Sequence, residues 1–235
     1  MVKRENIAVI LARGGSKRIP EKNIIDFSGK PMIAWTIEAA LKADVFDRVF
    51  VGTDMKKIAD IAENYGASAP FLRKEYIDDY SNVSNATISV LKQIKTILNE
   101  DYKNVFLLMP NCPLRKSYDI IKGYNNFLNS NTSFQISCFR YGCMNPWWAA
   151  KLNDRFHPEF IFPEGLKSRS QDLPVLYCPT GAIWIANVEA LIKEGTFYGK
   201  DVIFYEIDWK SAIDIDSIDD LDLATAIFNM GGRNV

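Results

Sequence analysis

The sequence has little of what metal clusters, disulfide frameworks and membrane spans require. Only four of its 235 residues are cysteine and one is histidine. No two cysteines form a CxxC pair, so a zinc site is not expected. The cysteines are expected to be reduced and to pack as small hydrophobic side chains. The apolar runs are too short for a bilayer and no signal sequence precedes the first strand, which predicts a cytoplasmic protein with no membrane partner.

Histidine and cysteine catalysis also lack support. His157 is the only histidine and lies in an irregular stretch, so we expect it at a surface or an interface rather than in catalysis. Cys112 and Cys178 flank candidate site segments, but no histidine motif accompanies either one. A thiol nucleophile is therefore not expected.

An excess of charge of either sign is missing as well. The chain has 28 Lys and Arg against 29 Asp and Glu, a net charge of −1. No overall field attracts nucleic acid, so a nucleic-acid partner is not expected and any basic site must be local. An apolar content of 48% is typical of a globular protein, and the length fits a single domain over residues 1–235.

Short apolar runs alternate with segments of helical periodicity. The predicted strands cover 7–12, 48–53, 104–109, 134–139, 181–186 and 202–207. The predicted helices cover 31–43, 54–65 (capped by Thr53 or Asp54 and stopped by Gly66), 84–100, 117–129, the VEALIKE segment and 217–229. This order predicts an α/β fold with a mostly parallel sheet of about seven strands covered on both faces.

Residues 140–178 interrupt the alternation. They contain NPWW at 145–148 and two further prolines, Pro158 and Pro163. An irregular loop is one interpretation. The length and the aromatic content favour an arm that packs on a second subunit.

The loop after the first strand reads ARGGSKRIPEKN and concentrates positive charge. It is neither a Walker A loop nor a GxGxxG fingerprint. Gly14 and Gly15 nevertheless allow backbone amides to approach an anion closely. The loop follows the carboxyl end of a strand, where open α/β sheets bind ligands. The cations are Arg13, Lys17, Arg18 and Lys22. A solvated turn and a polyphosphate-binding loop are the two interpretations.

The segment DIDSIDDL places two carboxylates at alternate positions. If the segment is extended, Asp214 and Asp216 lie on one face, which suits a hard cation such as Mg²⁺. The alternative is a helix start, in which Asp216 or Ser217 caps and Asp219 and Asp220 favour the dipole. Both can hold together, so we predict Asp214 and Asp216 as metal ligands and the two later acids as structural.

Together these segments resemble the acylneuraminate cytidylyltransferases, also called CMP-sialic acid synthetases. Seven segments, in order along most of the chain, are each similar to a segment of the family. They are the opening loop, GKPMIAWTIEAAL, VGTD, FLR, PNCPLR, SQDLPVLYCPTGAIWI and DIDSIDDL. The resemblance implies a Rossmann-like three-layer nucleotidyltransferase fold with a small dimerisation arm at 140–178. It also implies a homodimer.

The implied reaction transfers CMP from CTP to the anomeric hydroxyl of a nonulosonic acid, an acidic nine-carbon sugar, with Mg²⁺ as cofactor. The implied catalytic residues are Arg13, Lys22, Asp214 and Asp216, of which the two aspartates hold the metal. The implied nucleotide-binding residues are Arg13, Gly14, Ser16, Lys17, Lys22, Asn23, Arg73 and Ser84. The implied sugar-binding residues are Met109, Asn111, Arg169, Gln171 and Tyr177.

The chain departs from the family pattern mainly around the sugar. Met109 replaces the glutamine of QPTSPLR, Asn111 and Cys112 replace its Thr-Ser, Ser170 replaces the arginine before QDLP, and Thr180 replaces the asparagine of NGAIYI. The identity of the acidic sugar and of the general base therefore stays open.

Three alternatives remain. A 3-deoxy-manno-octulosonate cytidylyltransferase would share the fold, although its opening loop reads more like ARxxSxRLPGK. Guanylyl or uridylyl transfer to a neutral sugar fits less well. A non-catalytic nucleotide-binding protein would not need the paired carboxylates of DID.

Overall fold

The computed structural model describes residues 2–78, 81–142 and 144–231. The strands are β1 (Val2–Leu11), β2 (Asp26–Phe27), β3 (Lys30–Pro31), β4 (Arg48–Gly52), β5 (Glu100–Leu107), β6 (Phe134–Arg140), β7 (Ala150–Leu152), β8 (Pro158–Phe160), β9 (Tyr177–Asn187) and β10 (Ile203–Glu206). The helices are α1 (Met32–Ala43), α2 (Lys56–Asn64), α3 (Val83–Leu98), α4 (Ser117–Ser130), α5 (Val188–Glu194) and α6 (Ile218–Gly231).

Six strands form the central sheet in the order β10-β6-β9-β5-β1-β4. The pairs β1–β4, β1–β5 and β10–β6 are parallel, whereas β9 runs antiparallel to β5 and β6. The predicted α/β class and mostly parallel sheet are confirmed. The expected count of about seven strands was too high for the described residues, because the remaining strands form two separate two-stranded ribbons.

Helices cover both faces of the sheet, as predicted. On one face, Ala8 and Ile10 of β1 pack with Ile33 of α1 and Ile58 of α2, in a cluster that also includes α4. On the other face, the alternate β1 side chains such as Val9 pack with α3 and α5. Successive side chains of β1 point to opposite faces of the sheet, because side chains alternate along a β-strand. The result is a three-layer arrangement.

Strand β1 begins earlier than the apolar pattern predicted. Its first residues are polar, yet Lys3 pairs with Asp101 and Asn6 pairs with Asn104 of β5. Lys3 and Glu5 are exposed. Backbone pairing with β5 therefore extends the strand beyond the part that helices cover, and hydrophobic periodicity does not report such an extension.

An aromatic cluster fixes the last helix against the first. Phe228 of α6 packs edge-on against Trp35 of α1, with ring centroids 4.8 Å apart, and against Phe27 at 5.6 Å. The same cluster contains Ile19 of the opening loop and Ile215 of the DID segment. The loop near the start of the chain and the carboxylates near its end are thus brought to one place.

Residues 140–178 leave the regular layers, as predicted. They form the ribbon β7–β8 and three short 3-10 helices at Pro146–Trp148, Pro163–Lys167 and Ser170–Asp172. We call residues 140–178 the arm. Large apolar side chains on it are open to solvent, among them Phe156 with 79% of its surface exposed, and His157 is exposed too.

The cysteines follow the prediction only in part. Cys112 and Cys138 are free and buried. Cys178 is only partly buried, since it lies beside exposed Tyr177 where the arm enters β9. Cys143 lies outside the described residues. Among the helices of the described ranges, none combines the length and the apolar character that a membrane crossing needs.

Candidate active site

A cavity of about 280 Å³ opens where β1, β4 and β5 end. The parallel pairing of β1 with β4 and β5 places the loops after all three strands at one edge of the sheet. The predicted site residues that line the cavity are Arg13, Ser16, Lys17, Lys22, Asn23, Arg73, Met109, Asn111 and Asp216. Residues as far apart in sequence as Arg13 and Asp216 thus meet at one site.

Two hydrogen bonds hold the opening loop in shape. The Gly14 N–H donates to Asp54 Oδ1 at 2.8 Å, and Asn23 Nδ2 donates to the carbonyl oxygen of Arg13 at 3.0 Å. A Cβ added at Gly14 would lie 2.5 Å from Met55 Cε, so glycine permits this close approach to the segment after β4. The loop is therefore anchored to the neighbouring strand end.

The role of Asp54 differs from the predicted helix cap. Helix α2 begins at Lys56 after an N-cap at Met55, and the Asp54 carboxylate accepts from the opening loop instead. The reason is geometric, since Asp54 lies at the end of β4 directly beside the end of β1. The predicted stop is confirmed, because Gly66 follows α2 with a φ of +91°.

Cations of the loop contact a carboxylate of the DID segment across the cavity. Lys22 Nζ lies 2.6 Å from Asp216 Oδ1, and Arg18 Nη2 lies 2.6 Å from Asp216 Oδ2. Partial burial disfavours the charged form of Asp216, but hydrogen bonds and charges from the two cations outweigh it. The pKa of Asp216 is therefore lowered.

Asp214 has the opposite electrostatic environment. Its side chain reaches solvent, yet protein surrounds it closely enough to disfavour the charged form, and the charge of Asp216 adds repulsion. Lys22 and a hydrogen bond from Asn111 only partly offset these effects, so the pKa of Asp214 rises to about 6. Two carboxylates that repel each other in this way suit a bound cation.

The carboxylate oxygens of this pair fit Mg²⁺ in chemistry. Within the described ranges, no three His, Cys, Asp or Glu side chains converge on a common point. Asp214 and Asp216 thus offer carboxylate oxygens without soft ligands. In proteins generally, Mg²⁺ is held by one or two carboxylates, and phosphate and water complete its octahedral shell.

Arg73 lines the cavity as a buried cation. Only 5% of its surface is exposed, and its Nη1 donates to the carbonyl oxygen of Tyr76 at 3.0 Å. Burial lowers the pKa of Arg73, and the charge of Asp54 acts against that shift. Its Nε–H has no hydrogen-bond partner among the residues that the structure describes. Tyr76 has a left-handed backbone with a φ of +54°, which the Arg73 hydrogen bond supports.

The other predicted site residues do not line this cavity. Gly14 and Asp214 lie next to it through the contacts described above. Ser84 is 2% exposed in the core, where its Oγ accepts from the Phe197 N–H at 3.2 Å. Arg169 forms an ion pair with Asp172 at 2.7 Å, and it lies with exposed Gln171 and Tyr177 on the arm and at its junction with β9.

Asp220 and Ser217 have the structural role that the sequence predicted. Asp220 Oδ2 accepts from the Ser217 N–H at 2.7 Å and from the Asp216 N–H at 3.0 Å. The Asp220 N–H in turn donates to Ser217 Oγ at 3.3 Å. This reciprocal arrangement starts α6 directly after the DID segment and orients Asp216.

Sequence reasoning gave no partner to Arg18, predicted Asp54 only as a possible helix cap, and did not single out Tyr76 or Arg115. Asp54 could have been found, since it follows a strand that neighbours β1. Arg115 is 2% exposed, and its Nη1 donates to the carbonyl oxygens of Ala182 at 2.7 Å and Met109 at 3.3 Å. Burial lowers the pKa of Arg115 to about 10.

Comparisons with known proteins identify the family of the chain. The Cytidylyltransferase family profile matches residues 7–125, which include the opening loop and Arg73. A pseudaminic acid cytidylyltransferase of Campylobacter jejuni subsp. jejuni serotype O:2 is 34% identical over 96% of this chain and 97% of its own length. The chain belongs to the cytidylyltransferase family. The resemblance read from the motifs is thereby confirmed.

Two further comparisons are with an N-acylneuraminate relative and with a solved structure. An N-acylneuraminate cytidylyltransferase of Streptococcus agalactiae serotype III is 32% identical over 91% of this chain but only 51% of its own length. The structure of CMP:2-keto-3-deoxy-manno-octonic acid synthetase complexed with CTP superposes with a TM-score of 0.70 at 16% identity, over 97% of this chain and 99% of that one. At that identity the likeness shows the fold alone, and it confirms the expected nucleotidyltransferase fold.

Proposed function

We propose that this cytidylyltransferase transfers CMP from CTP to the anomeric hydroxyl of a nonulosonic acid and releases pyrophosphate. The observation that carries the proposal is the contact of Lys22 and Arg18 with Asp216 across the cavity. Phosphoryl chemistry depends on positioning and charge neutralisation, and this contact brings cations suited to a triphosphate and carboxylates suited to a metal ion to one cavity.

In the proposed reaction, the anomeric oxygen forms a bond to the α-phosphorus of CTP. The bond from that phosphorus to the oxygen bridging to the β-phosphate breaks, and its electron pair leaves with pyrophosphate. The hydroxyl proton passes to solvent. Arg13, Lys17 and Lys22 are proposed to neutralise the triphosphate, and buried Arg73 is proposed to position the nucleoside.

The proposed cofactor is Mg²⁺, held by Asp214 and Asp216. When bound, it would neutralise phosphate charge and polarise the reacting phosphoryl group. Lys22 contacts Asp216 through one carboxylate oxygen, so its ammonium group lies within the same charged cluster. The Lys22 ammonium group is proposed to move from the Asp216 carboxylate to the triphosphate when substrate enters.

The acceptor proposed here is pseudaminic acid. The Campylobacter relative that bears this name matches from end to end, whereas the N-acylneuraminate relative is about twice as long as the matched part. Met109, which replaces the glutamine of the N-acylneuraminate pattern, lines the cavity, which fits a different acidic sugar.

Two further proposals concern the whole protein. A homodimer formed through the arm is supported by the exposed apolar side chains there. A cytoplasmic location is proposed because the cysteines Cys112, Cys138 and Cys178 are free.

The test is a pyrophosphate-release assay with CTP, Mg²⁺ and a panel of acceptors. The panel contains pseudaminic, legionaminic and N-acetylneuraminic acids together with 3-deoxy-manno-octulosonic acid. We expect turnover with the nonulosonic acids, best with pseudaminic acid, and none with ATP, GTP or UTP. Pyrophosphate release with the eight-carbon acid alone would overturn the proposal. The absence of release with every acceptor on the panel would overturn it too.

Lys22→Ala serves as the inactive control for this assay. Loss of one well-placed electrostatic group costs roughly 10²- to 10³-fold in rate, so we expect that loss with an unchanged melting temperature. Lys42→Ala is the matched control, since this lysine is an exposed residue of α1 and should leave turnover unchanged. Near-normal turnover by Lys22→Ala would remove Lys22 from the mechanism.

A further inference from the structure

We propose that Asn111 is a positioning residue for the carboxylate pair Asp214–Asp216 and thereby sets the affinity of the protein for a divalent cation. This inference rests on the proposed function. It differs from the prediction made from the sequence, in which Asn111 binds the sugar.

The first support is the placement of the Asn111 amide. Its Nδ2 makes a close hydrogen bond to Asp214 Oδ1. The same nitrogen lies 3.2 Å from the carbonyl oxygen of Ile215 and 3.4 Å from Asp216 Oδ1. One NH₂ group carries two hydrogens, so it bridges the DID segment and draws both carboxylates toward one point.

The second support is the rigidity of Asn111 itself. Its backbone carbonyl oxygen accepts from the Ile215 N–H at 2.9 Å, so backbone and side chain both bind the DID segment. Only 9% of its surface is exposed. Buried Arg115 holds the preceding turn by donating to the carbonyl oxygens of Met109 and Ala182. The amide is therefore fixed by the fold rather than free to follow a ligand.

The third support is the division of donors between the two carboxylates. Lys22 and Arg18 hold both oxygens of Asp216, while Asn111 donates to Asp214. The pair carries like charges, and the NH₂ group between them partly offsets the repulsion. Without it, Asp214 can turn away from Asp216, and a cation would meet two separate carboxylates instead of a preformed pair.

The test measures Mn²⁺ affinity by electron paramagnetic resonance, with CTP present and no acceptor, so that no turnover occurs. We compare wild type with Asn111→Leu, which keeps the volume but removes the amide, and with Asn111→Thr, which restores one donor. Asn129→Leu on the exposed side of α4 is the matched control. Loss of a group that orients metal ligands weakens metal affinity roughly 10- to 100-fold.

We expect a loss of that size for Asn111→Leu, a smaller loss for Asn111→Thr and none for Asn129→Leu. The KM for the acidic sugar at saturating Mg²⁺ should stay within about twofold of wild type, because only metal binding changes. Unchanged Mn²⁺ affinity with a raised sugar KM would overturn the inference and return Asn111 to the sugar site. In that case wild-type turnover, and with it the proposed function, would still stand.

Two further readouts keep the result interpretable. If Asn111→Leu does not fold, judged by its melting temperature, Asn111→Thr decides the question by itself. Wild-type protein that releases pyrophosphate yet shows no Mn²⁺ binding would overturn the inference alone. Wild-type protein that releases no pyrophosphate with any acceptor would overturn the proposed function instead.

Discussion

Asp214 and Asp216, which are separated by one residue, have pKa values shifted in opposite directions. Lys22 and Arg18 lower the pKa of Asp216, while surrounding protein and the charge of Asp216 raise that of Asp214 to about 6. The difference comes from which carboxylate the loop cations can reach. One aspartate is therefore neutralised by the protein, and the other keeps a charge that the native state disfavours.

Asp214→Asn should therefore stabilise the metal-free protein at neutral pH. The folded pKa of about 6 lies above the ordinary value of 3.8, so ionised Asp214 opposes folding. This penalty is absent below about pH 4, grows between pH 4 and 6, and is constant above that range. We expect the variant to melt at a higher temperature than wild type at pH 7.5 and at the same temperature near pH 4, in the presence of a chelator.

The contrary result would be a lower melting temperature of Asp214→Asn at pH 7.5. That outcome would mean that another group stabilises the Asp214 carboxylate. The same variant should lose turnover, because the asparagine amide is a poorer ligand for Mg²⁺. Asp219→Asn, on the exposed start of α6, is the control for both measurements.

Ser84, which the family resemblance implies to bind the nucleotide, makes a hydrogen bond in the core. Its hydroxyl accepts from the Phe197 N–H in the core. Ser84→Ala leaves that N–H without a partner, which costs about 1–3 kcal/mol of unfolding free energy. We expect this loss in urea denaturation with little change in the KM for CTP. A raised KM with unchanged stability would support the nucleotide contact that the family resemblance implies.

Among the elements, hydrophobic periodicity was sufficient to predict a helix or a strand wherever another layer covers the segment. It located α1, α3 and the covered part of β1, but not the polar residues with which β1 begins. It also left the direction of β9 undetermined. The described residues of the arm between β6 and β9 form no crossover helix, which usually connects parallel neighbours. That absence predicts the antiparallel pairing of Phe134 with Ala186.

Contacts between elements at the site were the part that sequence could not supply. Arg18 and Asp216 are 198 positions apart, and nothing in either local pattern names the other. The opening loop and DID were found because each has its own chemistry. Their meeting depends on packing of Phe27, Trp35 and Phe228 between α1 and α6, which only the folded chain reveals.

The close approach of β9 to the turn after β5 gives an element-scale prediction. A Cβ at Gly181 would lie 2.6 Å from Met109 Cγ, and the Met109 N–H donates to the Gly181 carbonyl oxygen at 3.2 Å. Gly181→Ala should push Met109 into the cavity and destabilise the fold by about 1–3 kcal/mol. We expect a raised sugar KM in the pyrophosphate assay.

Gly195→Ala is not a suitable control for that variant, because Gly195 has a φ of +72°. Gly142 is better, since an added Cβ there meets no atom within 4 Å. Gly142→Ala should leave both stability and KM unchanged. If Gly181→Ala also leaves the KM unchanged, Met109 has room to move without entering the sugar side of the cavity.

At the scale of the whole molecule, several large apolar side chains of the arm are exposed to solvent. Met144 and Phe156 are 87% and 79% exposed, and Leu152 and Ile161 are 60% and 51% exposed. These side chains lie on a segment whose β7–β8 ribbon is too small to bury them. Exposed patches of this kind are typical of subunit interfaces, and the proposed homodimer would cover them.

Phe156→Asp should convert the proposed dimer to a monomer in sedimentation velocity at micromolar concentration. Phe156 has a left-handed backbone with a φ of +60°, which aspartate tolerates better than phenylalanine. The substitution therefore adds charge to the interface without straining the chain, and the melting temperature separates dissociation from misfolding. Ile97→Asp, at a 56% exposed position on α3, should leave the dimer intact. A monomeric wild type, or a Phe156→Asp variant that sediments as a dimer, would show that the arm is not the interface.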